Sequence, residues 1–358
     1  MRTGRADLPL HAGRAPAWLF DRMRRLAREM SLAIVDNEGP AGLLRRVSDP
    51  VWFQAFGTVL GFDWHSSGVT TTACGALKEG LTGLADDVGV IVAGGKGKTS
   101  RRTPAEIESA SERWGLDPQP LARASRLSAK VDSAAVQDGY QIYHHSFLLT
   151  KDGAWSVVQQ GLNDGTGMAR RYHWMNSGAF DEDPHAGVAG VAEQGVLNLV
   201  AGEGGSNRSV SVELAREHPS KVTAEIARMR ELSMPRHHWI RIGDLDPRRL
   251  DRILVKSYEA QPKDFTELLG VSGVGAKGLR ALSMVAELTY GEPASIRDPV
   301  SYSFAHGGKD GTPFPVDRQL YDTTIRSVES AVREARLGRT EKEKALRRLA
   351  RLGDLETD

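Results

Sequence analysis

The sequence contains a single cysteine, Cys74. One thiol excludes a disulfide within the chain and a zinc site built from several thiolates, so a metal would need His, Asp, Glu or backbone oxygen ligands. Long hydrophobic runs are also missing, because the run at residues 88–93 is far shorter than the ~20 residues that span a bilayer. The basic N-terminus is not followed by an apolar signal core. These absences predict a cytoplasmic protein with no membrane partner.

An excess of one charge is missing as well. The chain carries 47 basic and 46 acidic residues, a formal net charge of +1. Proteins that coat nucleic acid have a large basic excess, so any DNA contact here must come from local basic patches. Hydrophobic residues make up 40% of the chain, enough for ordinary packed cores, and the length suggests two or three domains.

The pattern of apolar residues changes along the chain and predicts an α+β fold. Apolar residues recur at helical spacing behind Pro16 and Pro50, and a break is expected at Gly39. Short strands are predicted at residues 88–93, 141–149, 154–160 and 168–174, the last three forming an antiparallel meander with hairpin turns. We therefore predict a mixed domain at 1–220, with a helical N-terminal region and the meander, and a helical domain at 221–358.

The segment 94–102 is rich in glycine and basic residues. It resembles a phosphate-cradling loop but has neither the spacing nor the ending of a Walker motif, so no nucleotide cofactor is expected. We interpret it as a flexible basic loop whose Lys96 and Lys98 lie near a DNA backbone, although a plain solvated loop explains it equally well. Thr103 and Glu106 have the spacing of a capping box, which predicts that a helix begins there.

The strongest local signal lies at residues 264–290. Apolar side chains predict two helices on either side of a tight turn, formed by Gly273, Val274 and Gly275. This stretch resembles the helix-hairpin-helix motif of DNA repair and recombination proteins. Glycines let a backbone approach a phosphate, which the free N–H groups of the second helix can bind. Lys277 and Arg280 would add positive charge, and an ordinary packing hairpin is the alternative.

Several short motifs elsewhere resemble one family. They are LPLH at residues 8–11, SDPVWFQAFG at 48–57, FDWHSSG at 62–68, QQG at 159–161 and ARRYHW at 169–174. The chain thereby resembles the DUF763 family, a domain of unknown function, from the N-terminus to near residue 350. The resemblance implies no activity, since the family name records none.

Polar side chains are concentrated on the predicted meander. With tight turns, one row across the strands contains His145, Gln159 and Arg171. The row on the other face contains His144, Gln160 and Arg170, and a one-residue shift would exchange members. Polar side chains are costly to bury in a hydrophobic core, so at least one row should face solvent or a cleft. There it could bind phosphate and exchange protons. A solvated sheet face is the alternative. The catalytic candidates are His145, Gln160, Arg171 and His173, and the DNA-contact candidate is Arg170.

Asp63 and His65 lie two residues apart in a predicted loop. A carboxylate and an imidazole could hold a divalent metal such as Mg or Mn, which a nuclease would use to activate water. We therefore include both among the catalytic and metal candidates and expect them to form one site with the meander. In the alternative interpretation, their side chains bond only backbone groups of the loop.

Lys277 and Asp317 suggest a different chemistry. They resemble the catalytic lysine and later aspartate of helix-hairpin-helix DNA glycosylases, although the separation here is longer than in that family. The sequence therefore predicts a DNA-binding protein of DNA repair or processing, most simply a metal-assisted nuclease. The alternatives are a glycosylase/lyase that uses Lys277 and Asp317, and a DNA-binding protein without catalysis.

Overall fold

The computed structural model describes residues 15–62, 68–176, 178–229, 247–302 and 318–354. Its centre is a five-stranded antiparallel sheet with the strand order β1-β3-β4-β5-β6. The strands are β1 (Val90–Lys96), β3 (Gln141–Thr150), β4 (Trp155–Asn163), β5 (Met168–Met175) and β6 (Gly187–Ala189). A separate two-stranded ribbon joins β2 (Val136–Gln137) to β7 (Leu197–Asn198). The predicted meander is confirmed as β3, β4 and β5.

The N-terminal region is helical, as predicted. Its helices are α1 (Ala17–Ser48), α2 (Pro50–Leu60), α3 (Gly68–Leu81) and the short α4 (Ala85–Val88). Gly39 interrupts α1 with a left-handed φ of 72°, at the predicted break. The Asp49 side chain caps α2 by accepting hydrogen bonds from two backbone N–H groups of its first turn, and Gly61 ends the helix in the left-handed region.

The basic segment after β1 is ordered differently from the prediction. Residues up to Lys96 belong to the strand, and a 3₁₀ helix covers Gly97–Arg102 and runs into α5 (Thr103–Trp114). The predicted capping box is wrong, because Glu106 does not turn back to its own helix terminus. Its carboxylate instead accepts hydrogen bonds from the N–H of Gly94 and from Lys78 Nζ. Pairing with an ammonium group and a strand N–H is stronger than one cap bond.

The remaining helices lie on both sides of the meander in the chain. After α5 come α6 (Pro118–Lys130), a five-residue π-helix (Val131–Ala135), α7 (Gly205–Arg216) and α8 (Pro219–Met229). The second half contains α9 (Pro247–Ala260), α10 (Phe265–Gly270), α11 (Ala276–Tyr290), α12 (Arg318–Glu334) and α13 (Arg339–Asp354). The helices α12 and α13 are separated by a short break that contains Gly338. None of these described helices is long and apolar enough to cross a membrane.

The sheet is covered by helices on both sides, which creates two cores. Face A of the sheet, with Val92, Leu148 and Val158, packs against α1, α2, α3, α12 and α13. Face B, with Phe147 and Val157, packs against α5, α6 and the helices from α7 to α11. Alternate residues of a strand point to opposite faces, so each strand of the meander contributes to both cores. Each core also contains residues from both sides of the predicted boundary at residue 220, and that boundary stays a prediction.

Candidate functional site

The polar residues of the meander occupy both faces of the sheet. The pairing of β3 with β4 places His144 opposite Gln160 and His145 opposite Gln159, as predicted. Between β4 and β5 the register differs by one residue from the prediction, so Gln160 lies opposite Arg171. Face A therefore carries His144, Gln160, Arg171 and His173, and face B carries His145, Gln159 and Arg170. All of these side chains are buried, because helices cover both faces. The expectation that one row faces solvent or a cleft is wrong.

Arg171 and His173 hold each other inside face A. Arg171 Nε donates to His173 Nε2 at 2.8 Å, so this nitrogen is the acceptor and the proton of the neutral ring is on Nδ1. That Nδ1–H donates to the carbonyl oxygen of Val47 at 3.0 Å. Burial, followed by the charge of Arg171, holds the pKa of His173 well below its usual value. With both nitrogens engaged, His173 has no lone pair left for a metal or for a proton transfer.

His145 belongs to a second buried network, on face B. Its Nδ1 lies 2.9 Å from Gln159 Oε1, and its Nε2 lies 2.9 Å from the hydroxyl of Ser125 on α6. Gln159 Nε2 in turn donates to Asp132, whose carboxylate also binds His185 and the indole N–H of Trp174. Both ring nitrogens of His145 are therefore used within the protein. The sheet separates His145 from Arg171, so these two catalytic candidates do not share a site.

Arg170 is not available for DNA. Its guanidinium group is fully buried on face B and binds Asp138 Oδ2 at 2.8 Å and Asp298 Oδ2 at 2.7 Å. It also donates to the carbonyl oxygen of Val191 and lies over the ring of Tyr140. Two carboxylates neutralise the buried charge, as a burial of this kind requires. The predicted DNA contact is therefore wrong, and Arg170 instead fastens the segment around Asp298 to the sheet.

His144 has the one imidazole nitrogen of the meander that is left without a partner. Its side chain is 1% exposed, and its Nε2 lies 3.0 Å from the Ser146 hydroxyl, but no described residue bonds to its Nδ1. Burial lowers its pKa to about 3, so the ring is neutral at physiological pH. The neighbouring Tyr143 lies at a β-bulge and accepts a hydrogen bond from Gln160 Nε2 at 2.6 Å. Lys96 lies opposite His144 on β1, with its Nζ 5.8 Å from the centre of the Tyr143 ring.

The predicted pair of helices around residue 274 is present. The turn between α10 and α11 buries Val274 and exposes Gly273, which has a φ of 92°. No side chain caps the N-terminus of α11, where Gly275 is the cap residue. A Cβ atom added at Gly275 would meet no described atom within 4 Å, so this position is open. Lys277 is exposed beside it, whereas Arg280 is half-buried and burial lowers its pKa.

A hydrogen bond from a side chain to a backbone carbonyl joins this hairpin to the rest of the molecule. Gln137, which follows the π-helix, donates from Nε2 to the carbonyl oxygen of Ala276 at 2.9 Å. Asp264 caps α10 by accepting a hydrogen bond from the N–H of Glu267. The Gln137 bond ties the start of α11 to strand β2, and the Asp264 bond stabilises the start of α10.

Asp63, His65 and Asp317 lie outside the described residues. Helix α3 begins at Gly68, shortly after Asp63 and His65, and the Thr70 hydroxyl of its first turn lies 3.4 Å from Arg171 Nη1. Arg171 also donates to the side chain of Gln54 and to the carbonyl oxygen of Pro50. Within the described part of the chain, no three His, Cys, Asp or Glu side chains are grouped so that they could hold a metal.

Residues 4–316 match the family model described as "Protein of unknown function (DUF763)". The chain belongs to this family. No curated protein and no solved structure matches it. Membership of DUF763 confirms the resemblance found in the sequence motifs and adds no activity to it.

The sequence patterns of this DUF763 member did not identify several residues that take part in the buried polar networks. Asp132 lies in the apolar run from Val131 to Val136, and an acid in such a run is a usable signal, since a buried charge needs a partner. Asp138 carries a similar but weaker signal. Asp298 carries none, because its partner Arg170 is 128 residues away in the chain. Tyr143 could not be chosen either, since its orientation depends on the β-bulge.

Proposed function

We propose that this protein binds DNA and that the hairpin between α10 and α11 is its main contact with the phosphate backbone. The observation that carries the proposal is the uncapped, open N-terminus of α11 at Gly275, with Lys277 exposed next to it. The first N–H groups of a helix have no acceptor within the helix, and the helix dipole favours an anion there. Contacts of this type position DNA without reading its sequence.

A lysine on α9 adds to this surface. Lys256 of α9 is exposed, and its Nζ lies 3.5 Å from the position of a Cβ atom built on Gly273. A phosphate at the turn would thus meet backbone N–H groups together with the ammonium groups of Lys256 and Lys277. The exposed Lys98 on the 3₁₀ helix, predicted to contact DNA, stays a candidate for a second contact. A cytoplasmic location remains a prediction.

Gly275→Val tests the hairpin. The variant places a branched side chain where the phosphate would lie, so we expect duplex DNA to bind at least about tenfold more weakly in a fluorescence anisotropy titration. Gly338→Val is the matched control, because Gly338 also has open space around it and directly precedes a helix, α13, but lies outside the hairpin. Equal DNA affinity and equal salt dependence of the two folded variants would place the contact elsewhere.

A metal-assisted phosphodiesterase is the second candidate. It is favoured by the contact between Arg171 and Thr70, since the helix that begins just after Asp63 and His65 is held there against the sheet. A bound Mg or Mn would be held by Asp63 and His65 and would supply an activated water, while Arg171 would position the first turn of α3. His145 and His173 take no part in this proposal.

DNA cleavage tests this candidate directly. Cleavage that requires Mg or Mn, stops with a chelator and is lost in both Asp63→Asn and His65→Ala would support it. In both variants, DNA binding through the hairpin should persist. Tight DNA binding by the wild type without metal-dependent cleavage would leave a non-catalytic DNA-binding protein, unless a lysine adduct of the glycosylase type is trapped.

A further inference from the structure

We propose that Lys96, Tyr143 and His144 form a second phosphate-binding site at the β1 side of the sheet, which takes a phosphodiester group of the bound DNA. The inference rests on the proposed DNA binding and adds a contact separate from the hairpin. Its ligand is an anion that can accept several hydrogen bonds at once.

The three residues form a path from the surface into the protein. Lys96 is exposed, Tyr143 is half-buried and His144 is buried. Strand pairing places Lys96 directly opposite His144, and the bulge in β3 turns Tyr143 toward the same face, where its hydroxyl reaches Gln160. β-Bulges re-aim side chains in this way and are common beside active sites.

Lys96 and Tyr143 each offer a hydrogen-bond donor that the described protein does not use, and His144 Nδ1 offers one in the tautomer in which the Ser146 hydroxyl donates to Nε2. Gln160 Nε2 donates to Tyr143 Oη, so the phenolic proton is free for another acceptor, and no described acceptor takes it. Burial raises the pKa of Tyr143, which keeps that proton in place. His144 Nδ1 is buried without a described partner. An unpaired buried nitrogen lowers stability, and such groups in native proteins call for an explanation, which a ligand would provide.

The charge around the path favours an anion. Lys98, Arg101 and Arg102 are exposed on the 3₁₀ helix that follows Lys96, and none forms an ion pair with a described residue. The carboxylate of Glu106 is already bound by Lys78 and by the N–H of Gly94. Donors and positive charges without a free carboxylate suit a phosphate and not a metal cation.

DNA titrations at several salt concentrations test the site with two variants. Lys96→Gln should weaken duplex binding and reduce the salt slope by about one, because one phosphate contact is lost. Tyr143→Phe removes a neutral donor, so it should weaken binding about tenfold and leave the slope unchanged. Lys151→Gln and Tyr290→Phe are matched controls, since both side chains are exposed outside this site, and both should bind like the wild type.

The results of these titrations distinguish the proposed second site from the hairpin. If Lys96→Gln and Tyr143→Phe bind like the wild type while Gly275→Val does not, the second site is overturned and the proposed function stands. If the wild type binds no DNA, the proposed function fails, and titration with inorganic phosphate decides the site. A phosphate-dependent shift of the His144 ring nitrogens in NMR, lost in Tyr143→Phe, would then support it, and an unchanged spectrum would overturn it.

Discussion

His173 ties the guanidinium group of Arg171 to the first helix. Its Nε2 accepts the Nε–H of Arg171 at 2.8 Å, and its Nδ1–H donates to the carbonyl oxygen of Val47 at 3.0 Å. The imidazole thus connects a buried charge on β5 to α1, and it lies edge-on to the ring of Phe53 on α2. The pair is a structural link between the sheet and the N-terminal helices.

His173→Leu tests this structural role. The change removes an acceptor from a buried charged donor, so the free energy of unfolding should fall by about 2 kcal/mol or more in urea titrations. DNA affinity per folded molecule should stay at the wild-type value. His218→Leu is the control, because His218 is exposed and bonds Ser220 beside it at the start of α8, so its replacement should lower stability by less than about 1 kcal/mol. A folded, fully stable His173→Leu protein that has lost an activity would contradict this role.

Three buried histidines predict that stability depends on pH. Burial lowers the pKa of His144 to about 3 and lowers those of His145 and His173 as well. The unfolded chain therefore binds more protons than the folded protein below about pH 6.5. Stability should be highest above that pH and fall as pH decreases; well below pH 6.5 His144 alone should contribute a slope of up to about 1.4 kcal/mol per pH unit, and His145 and His173 act in the same direction.

Unfolding by urea between pH 7.5 and 5.5 measures this dependence. His144→Asn should reduce the stability lost over this whole range by about 1.4 kcal/mol, because one of the three groups is removed. Stability that is constant across this range would show that the histidines titrate normally in the folded protein.

The two glycines of the hairpin should respond differently to substitution. Gly273 has a φ of 92°, so Gly273→Ala forces an L residue into the left-handed region and should cost about 1–2 kcal/mol. Gly275 has an extended φ of −135° and open space around it, so Gly275→Ala should fold with wild-type stability. Thermal unfolding of the two variants compares the costs directly. Equal destabilisation would mean that the turn has another conformation in solution.

Lys277 separates phosphate binding from lyase chemistry. As an exposed lysine beside the helix terminus, it should act through its charge. Lys277→Gln is then expected to weaken binding evenly over all DNA sequences and to reduce the salt slope by about one. Borohydride reduction with DNA that contains damaged bases provides the opposing measurement. A covalent adduct at Lys277 would establish the glycosylase/lyase alternative.

Asp298 should matter for stability and not for DNA contact. Asp298→Ala removes one of the two carboxylates that neutralise the buried Arg170, which should lower the free energy of unfolding by about 3–5 kcal/mol. Glu343→Ala is the control, since its ion pair with Arg339 is exposed on both sides and such pairs contribute about 0–1 kcal/mol. Similar losses in the two variants would show that Arg170 is not sealed from solvent.

The sequence by itself determined several main elements of this protein. Periodicity and caps located α1, α2 and the three strands of the meander, because these signals are local and act within a few residues. The pair of helices around the turn at Gly273 was located by the same local chemistry. Family membership, too, followed from short motifs along the chain.

Only the tertiary structure decided what the polar residues of the meander do. A one-residue shift between β4 and β5 set Arg171 opposite Gln160, and a bulge at Tyr143 turned its hydroxyl toward Gln160. The carboxylates that neutralise Arg170 come from chain positions 32 and 128 residues away. The hydrophobic pattern and the tight turn located the β3–β4 register, but the longer loop before β5, the bulge and the distant carboxylates depend on residues far apart in the chain. The burial of the seven His, Gln and Arg candidates of the meander, from His144 to His173, followed from that packing.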